Sequence, residues 1–309
     1  MWLTSSSIGR KTVMALTGAF LVLFVTFHVL MNGVALFWPT AYNTVCEFLG
    51  ANWYALLGSA VLALGFLLHI LFALWLTWQN RRARGSNRYA VTSRPKQVEW
   101  ASKNMLVLGI VVICFLAVHM YQFWAKMQLV EVLHLPSDYP PAAGTLFIQE
   151  AFSCPWTLII YLIGFIALWF HLTHGIWSMC HTIGWNNGIW MNRLKTIGNI
   201  WATFIVLLFV AEAVVFTVNS KKNNYLNCPA LQEQYLEMAA EGENYPMLQS
   251  FAPEAAINCD ACPNAAAEEA VAPAEAAISC DACPNAATEE AVAPAVEETQ
   301  VSETLQQII

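Results

Sequence analysis

The chain has 309 residues, of which 58% are hydrophobic and only 11% are charged. A soluble domain carries about 25% charged residues, so the composition excludes an ordinary soluble enzyme and describes a membrane protein. The formal charge of −7 is unevenly placed: residues 1–222 hold all fourteen Lys and Arg beside six acids, while residues 223–309 hold fifteen acids and no base. The bases are few and lie close to the ends of apolar runs, which speaks against nucleic-acid binding.

Taken in chain order, the N-terminal segment MWLTSSSIGRKTVMALTG resembles a signal peptide only superficially, because no acid, Lys or Arg interrupts residues 12–46. A signal h-region is only about 7–15 residues long, so a retained first span is expected at about 13–37. Further spans are expected at about 53–79, 104–129, 155–183 and 197–219, each exceeding the roughly 20 residues a helix needs to cross the hydrocarbon core. With the N-terminus inside, eleven Lys and Arg fall on inner segments, against Lys126, Lys221 and Lys222 outside, as the positive-inside rule requires. The expected fold is an all-α bundle of five transmembrane helices, N-terminus inside and C-terminus outside, followed by a disordered tail. Trp38, Trp53, Trp78, Trp100, Trp185 and Trp190 near span ends read as an aromatic belt.

Residues 1–222 thus form the membrane domain and residues 223–309 the tail. Within the tail, residues 253–273 recur as 274–294 with 18 of 21 positions identical. This Ala-, Glu- and Pro-rich duplication has no aromatic residue with which to build a core. Cys259, Cys262, Cys280 and Cys283 make a C-x2-C-x17-C-x2-C pattern that formally fits zinc. The spacing follows automatically from the duplication, and an external location favours disulfides over a metal. Cys46, Cys114, Cys154 and Cys180, in or near spans, read as packing residues.

The chemistry lies in histidines inside the apolar runs: His28 in LVLFVTFHVLMNG, His69 in ALGFLLHILFALW, His119 in VVICFLAVHMYQF, and His171 with His174 in ALWFHLTHGIWSM. An ionisable side chain in a span is costly and by default faces the bundle interior and serves a function. Counted from the expected span ends, His28 and His119 lie about 17–18 Å from the outer surface, and His69 and His171 about 24–26 Å. This makes two levels and two pairs, His28/His119 outside and His69/His171 inside. Neutral imidazole is a good iron ligand, so two bis-histidine haems b would explain the arrangement. By spacing alone either His171 or His174 could be the fourth ligand. His181 lies near the inner surface, and His134 belongs to an outer loop expected to be solvated. Glu47, in the first outer loop, is a candidate for handling quinol protons, beside the favoured reading as a solvated loop acid. Glu212, in the fifth span, is either a bundle-facing relay or an acid that snorkels outward, and the second reading is the expectation.

Five spans with a histidine in each of the first four resemble the dihaem cytochrome b membrane subunit of succinate:quinone oxidoreductases, that is, succinate dehydrogenase or quinol:fumarate reductase. The segments that carry the resemblance are GRKTVMALTGAFLVLFVTFH, LLHILFALW, AVHMY and HLTHGIW, within about residues 5–220. The resemblance implies that His28 and His119 hold the haem distal to the catalytic subunits and His69 and His171 the proximal one. It selects His171 over His174 as the residue four before Gly175. It further implies an iron–sulfur subunit docked on the Arg-rich inner face, a flavoprotein subunit carried by it, menaquinone as the quinone, and a bacterial inner membrane with the tail in the periplasm. Some members carry an acid two residues before the fourth ligand on a transmembrane proton path. Here that position is Trp169, and the duplicated tail has no counterpart in the family pattern. The alternatives are a dihaem b subunit of another respiratory enzyme, such as a hydrogenase or nitrate reductase, and a haem-free anchor or transporter.

Overall fold

In the computed structural model the described residues are 6–50, 52–84, 100–240, 245 and 248, and all their regular structure is helical. Ten helices follow in order: α1 Ser7–Phe37, α2 Pro39–Phe48, α3 Trp53–Arg84, α4 Trp100–Gln122, α5 Gln128–Leu133, α6 Gly144–Ser153, α7 Pro155–Thr182, α8 Trp190–Lys221, α9 Asn224–Asn227 and α10 Pro229–Ala240. Five of them (α1, α3, α4, α7 and α8) are long and apolar enough to cross a membrane. They make this a multi-pass membrane protein. The expected proton-handling acid Glu47 lies on α2, and the duplicated CxxC unit lies outside the described residues.

Local sequence explains most of the ends. Ser6 caps α1 by accepting the Gly9 amide at 2.9 Å, and the helix begins six residues before the expected start. Pro39 begins α2 and Pro155 begins α7 at their first positions, where the missing N–H has no helical partner to lose. At the end of α7, Gly184 takes φ 91°, and the Trp185 amide reaches Cys180 O at 3.0 Å and that of Gly184 reaches His181 O at 3.3 Å. That paired closure ends a helix in a left-handed residue, where glycine pays no Cβ penalty. Asn223, at φ 55°, does the same work after α8 and folds the chain back on itself. The third span stops at Gln122 instead of about 129. Turns over Phe123–Met127 replace the helix, and Lys126 pairs with Glu150, an arrangement suited to the membrane surface and not to its core.

At the centre of the bundle α7 packs on α8, α4 and α1, while α3 leans on α1 and only lightly on α4. Helices approach closely in membranes through small residues. A Cβ on Gly164 would run into the Phe115 ring, and one on Gly65 would lie 2.8 Å from the Phe20 ring.

The end of the bundle expected to lie outside, called the outer end below, differs from the expectation in two ways. The α6 segment is largely buried, with Thr145, Leu146, Phe147 and Ile148 inside. Residues 224–240, assigned by composition to the tail, form α9 and α10 and pack over α2, α6 and α8. The joint is polar and buried. Asn43 Oδ1 accepts from the Thr145 amide at 3.0 Å and its hydroxyl at 2.9 Å, and Asn43 Nδ2 donates to Gln234 Oε1 at 3.0 Å. The Tyr235 hydroxyl meets Thr145 Oγ1 at 2.7 Å, and burial pushes its phenol above the usual range. Cys228 is disulfide-bonded.

Two substitutions test this packing. Gly164→Ala is expected to destabilise the detergent-solubilised protein by about 1–3 kcal/mol through overpacking, seen as a lowered unfolding midpoint. Asn43→Ala, which strands the buried Thr145 amide and hydroxyl donors on α6 and the Gln234 Oε1 acceptor on α10, is expected to cost about 1–3 kcal/mol and to release α10 first, read as faster amide exchange over 229–240.

Candidate cofactor site

Membrane hydrocarbon offers a side-chain nitrogen no partner, so each intramembrane histidine has to be satisfied inside the bundle. All four of the predicted ligands face one internal cavity of about 2010 Å³. His28 on α1 and His119 on α4 face each other with ring centroids 5.7 Å apart, and His69 on α3 and His171 on α7 do so at 6.3 Å. These are the two pairs expected from depth. In neither pair does a hydrogen bond join the rings among the described residues. Two imidazoles binding one metal from opposite sides, with bonds of about 2 Å, have centroids roughly 6 Å apart.

The separation of the levels can be measured along three helices. Thr17, which touches His69, and His28 are eleven residues apart on α1. Gly109, whose Cβ would lie 3.8 Å from His171 Cε1, and His119 are ten apart on α4. Tyr161, which touches His119, and His171 are ten apart on α7. At 1.5 Å per residue each ruler gives about 15–16 Å. Counting from expected span ends gave less than half of this, chiefly because α4 stops at Gln122, which brings His119 close to its outer end.

Hydrogen bonding sets which ring nitrogen faces the cavity. Thr17 Oγ1 directs its hydrogen to Val13 O at 2.9 Å and lies 3.3 Å from His69 Nδ1. Tyr161 donates to Gln122 Oε1 at 2.9 Å and lies 3.1 Å from His119 Nδ1. With their own hydrogens committed, both hydroxyls can only accept from the rings. This assigns the proton to Nδ1 and leaves the Nε2 lone pair free, the orientation that a metal-ligating histidine receives from its outer partners. Beside His28, the Asn32 amide lies 3.4 Å from each ring nitrogen, donates to His28 O at 2.8 Å, and accepts from the Tyr42 hydroxyl at 3.2 Å. His171 Nδ1 is buried without a hydrogen-bond partner among the described residues.

Aromatic rings close the outer level. Phe24 stacks on His28 at 5.3 Å, and Phe115 and Phe123 lie 6.0 and 5.3 Å from His119. At the inner rim the cavity is lined by Lys11, Arg81 and Lys103.

The remaining candidates separate clearly. His174 also lines the cavity, but its ring packs edge-on against Trp177 at 5.0 Å, while His171 faces His69. His181 is exposed at the inner rim, and His134 is exposed with φ 51°. Glu47 is exposed on α2 and does not line the cavity. Glu212 does, with 4% of its surface accessible, so it does not snorkel outward. Trp169 donates to Thr203 on α8 at 3.0 Å. Among the described residues no group of three or more His, Cys, Asp or Glu is placed to hold a metal ion. Sequence reasoning missed Thr17 and Tyr161. One turn of helix periodicity from an intramembrane histidine does not reach them, since both act across helices. Comparison with protein-family models, curated proteins and solved structures finds no match for the chain.

Removing the Tyr161 hydroxyl strands the His119 Nδ1–H. Tyr161→Phe is expected to destabilise the bundle by about 1–3 kcal/mol, and Thr17→Val to lower stability less, as its contact is longer; thermal unfolding in detergent would rank them.

Proposed function

We propose that this chain is the dihaem cytochrome b membrane anchor of a succinate:quinone oxidoreductase. The observation that carries the reading is the pair of facing histidine couples, at 5.7 and 6.3 Å, in one cavity. The residues fit the group. His28 with His119 and His69 with His171 would hold two haems b, whose chemistry is one-electron transfer without an open coordination position.

The chain's own part is to present and shield. Thr17 and Tyr161 hold Nδ1 protons so that Nε2 faces the cavity. The Phe24, Phe115 and Phe123 rings keep water from the outer level. Lys11, Arg81 and Lys103 at the inner rim complement the carboxylates that a haem carries. The family resemblance supplies the rest of the reading: an iron–sulfur subunit on the inner face carrying a flavoprotein subunit, menaquinone as the electron donor or acceptor, and a bacterial inner membrane. The Lys and Arg distribution supports an inside N-terminus. A disulfide at Cys228, just beyond the last span, supports an oxidising outer compartment for the C-terminal side.

The test is a dithionite-reduced minus oxidised spectrum with a pyridine haemochrome count on protein from haem-replete cells. Two haems b per chain are expected, together with co-purifying flavin and iron–sulfur subunits. Haem with hydrogenase or nitrate reductase subunits would give the anchor another enzyme, and absence of haem would refute the reading. His69→Ala is expected to lower the count from two to one, with the outer haem retained; two unaltered haems would overturn the ligand assignment.

A further inference from the structure

The acid in the fifth span belongs to the cavity and has no role in holding the histidines. Glu212 on α8 is 4% exposed, lines the cavity, and has no hydrogen-bond partner among the described residues. Its Oε1 lies over Gly33 of α1, where a Cβ would come within 3.5 Å. An ionisable carboxyl left without a partner in a bundle interior is expensive and marks a function.

Its neighbours are polar and near the outer level. Tyr42 interacts electrostatically with Glu212 and with Cys46 of α2 and Tyr225 of α9, and the Tyr42 hydroxyl donates to Asn32, which lies against His28. His28 from α1 and Tyr161 from α7 line the same cavity. Burial pushes the Cys46 thiol up to about 12, and burial also raises Tyr42 well above its usual value and Tyr225 to about 12. Among these neighbours Glu212 is the carboxyl group, and it stands at the cavity wall. The surrounding cavity wall is mainly apolar, as the ring and tail of a lipid-soluble quinone require.

We propose that Glu212 is the proton-accepting residue of a hydroquinone site at the outer level. This deepens the preceding section's reading and rests on it. The hydroquinone hydroxyl donates to the Glu212 carboxylate. Its O–H bond breaks, a new O–H bond forms on Glu212, and the electron pair stays on the quinol oxygen as the hydroquinone monoanion, the form that gives up electrons more readily. No oxidant takes part in this step. Asn32 and Tyr42 lie beside the site as polar neighbours of the quinol ring.

The experiment uses the purified complex, with dimethylnaphthoquinol as the probe, and compares wild type with Glu212→Gln and Glu212→Asp. The haem count is taken first. Both variants are expected to keep two haems b, and Gln is expected to slow anaerobic reduction of the haems by the quinol about 100-fold, the scale of a lost general base. Asp is expected to recover part of that rate. The redox infrared difference spectrum supplies an independent readout, with a carboxyl C=O band that disappears in the Gln variant and shifts in the Asp variant. If Gln fails to assemble, the band in the Asp variant decides. Two haems with an unchanged quinol rate and an unchanged carboxyl band would overturn the role of Glu212 and leave the dihaem reading standing. A wild-type complex without haem would overturn the dihaem reading itself.

Discussion

Nitrogen lone pairs and N–H groups have no solvent inside a bilayer, and four imidazoles on four different helices impose that constraint at four points. The bundle answers by facing them inward in couples around a cavity and giving two of them hydroxyl partners from a neighbouring helix. Thr17 reaches His69 from α1, and Tyr161 reaches His119 from α7. Lateral packing of α1, α4 and α7 is thus tied to ring orientation, and close approaches such as Gly164 against Phe115 serve the same geometry, because Phe115 in turn lies beside His119.

Much of the membrane part was legible in the chain. Long apolar runs need no tertiary information to be read as spans, and α7 follows its expected bounds within a residue because Pro155 and Gly184 mark both ends. The histidine couples were legible too, since a polar residue in such a run stands out against its surroundings. Lengths measured from span ends were less secure. The stop at Gln122 is followed by the Lys126–Glu150 pair, a contact across 24 residues that no local pattern announces.

The outer cap was not legible, for a different reason. Residues 224–240 are polar enough to read with the acidic tail, and only their neighbours make them structural. Tyr225, Leu231 and Tyr235 are wholly buried against α2, α6 and α8. Glu212 was misread on similar grounds. Hydropathy places it in a span near an end, but whether a helix turns such a residue to lipid or to the interior is decided by the packing of α8 on α7, α6 and α1. Its burial relates it to Gly33 and Tyr42, residues 170 or more positions away in sequence.

The two levels share three rigid posts. Eleven residues on α1, ten on α4 and ten on α7 separate the outer contacts from the inner ones. One residue inserted into any of these stretches would turn one end of that helix by about 100° against the other and lift it by about 1.5 Å. A cavity-facing histidine or its hydroxyl partner would then point at lipid. These intervals behave like the spacing between holes in a bracket, tolerating a change of residue far better than a change of number.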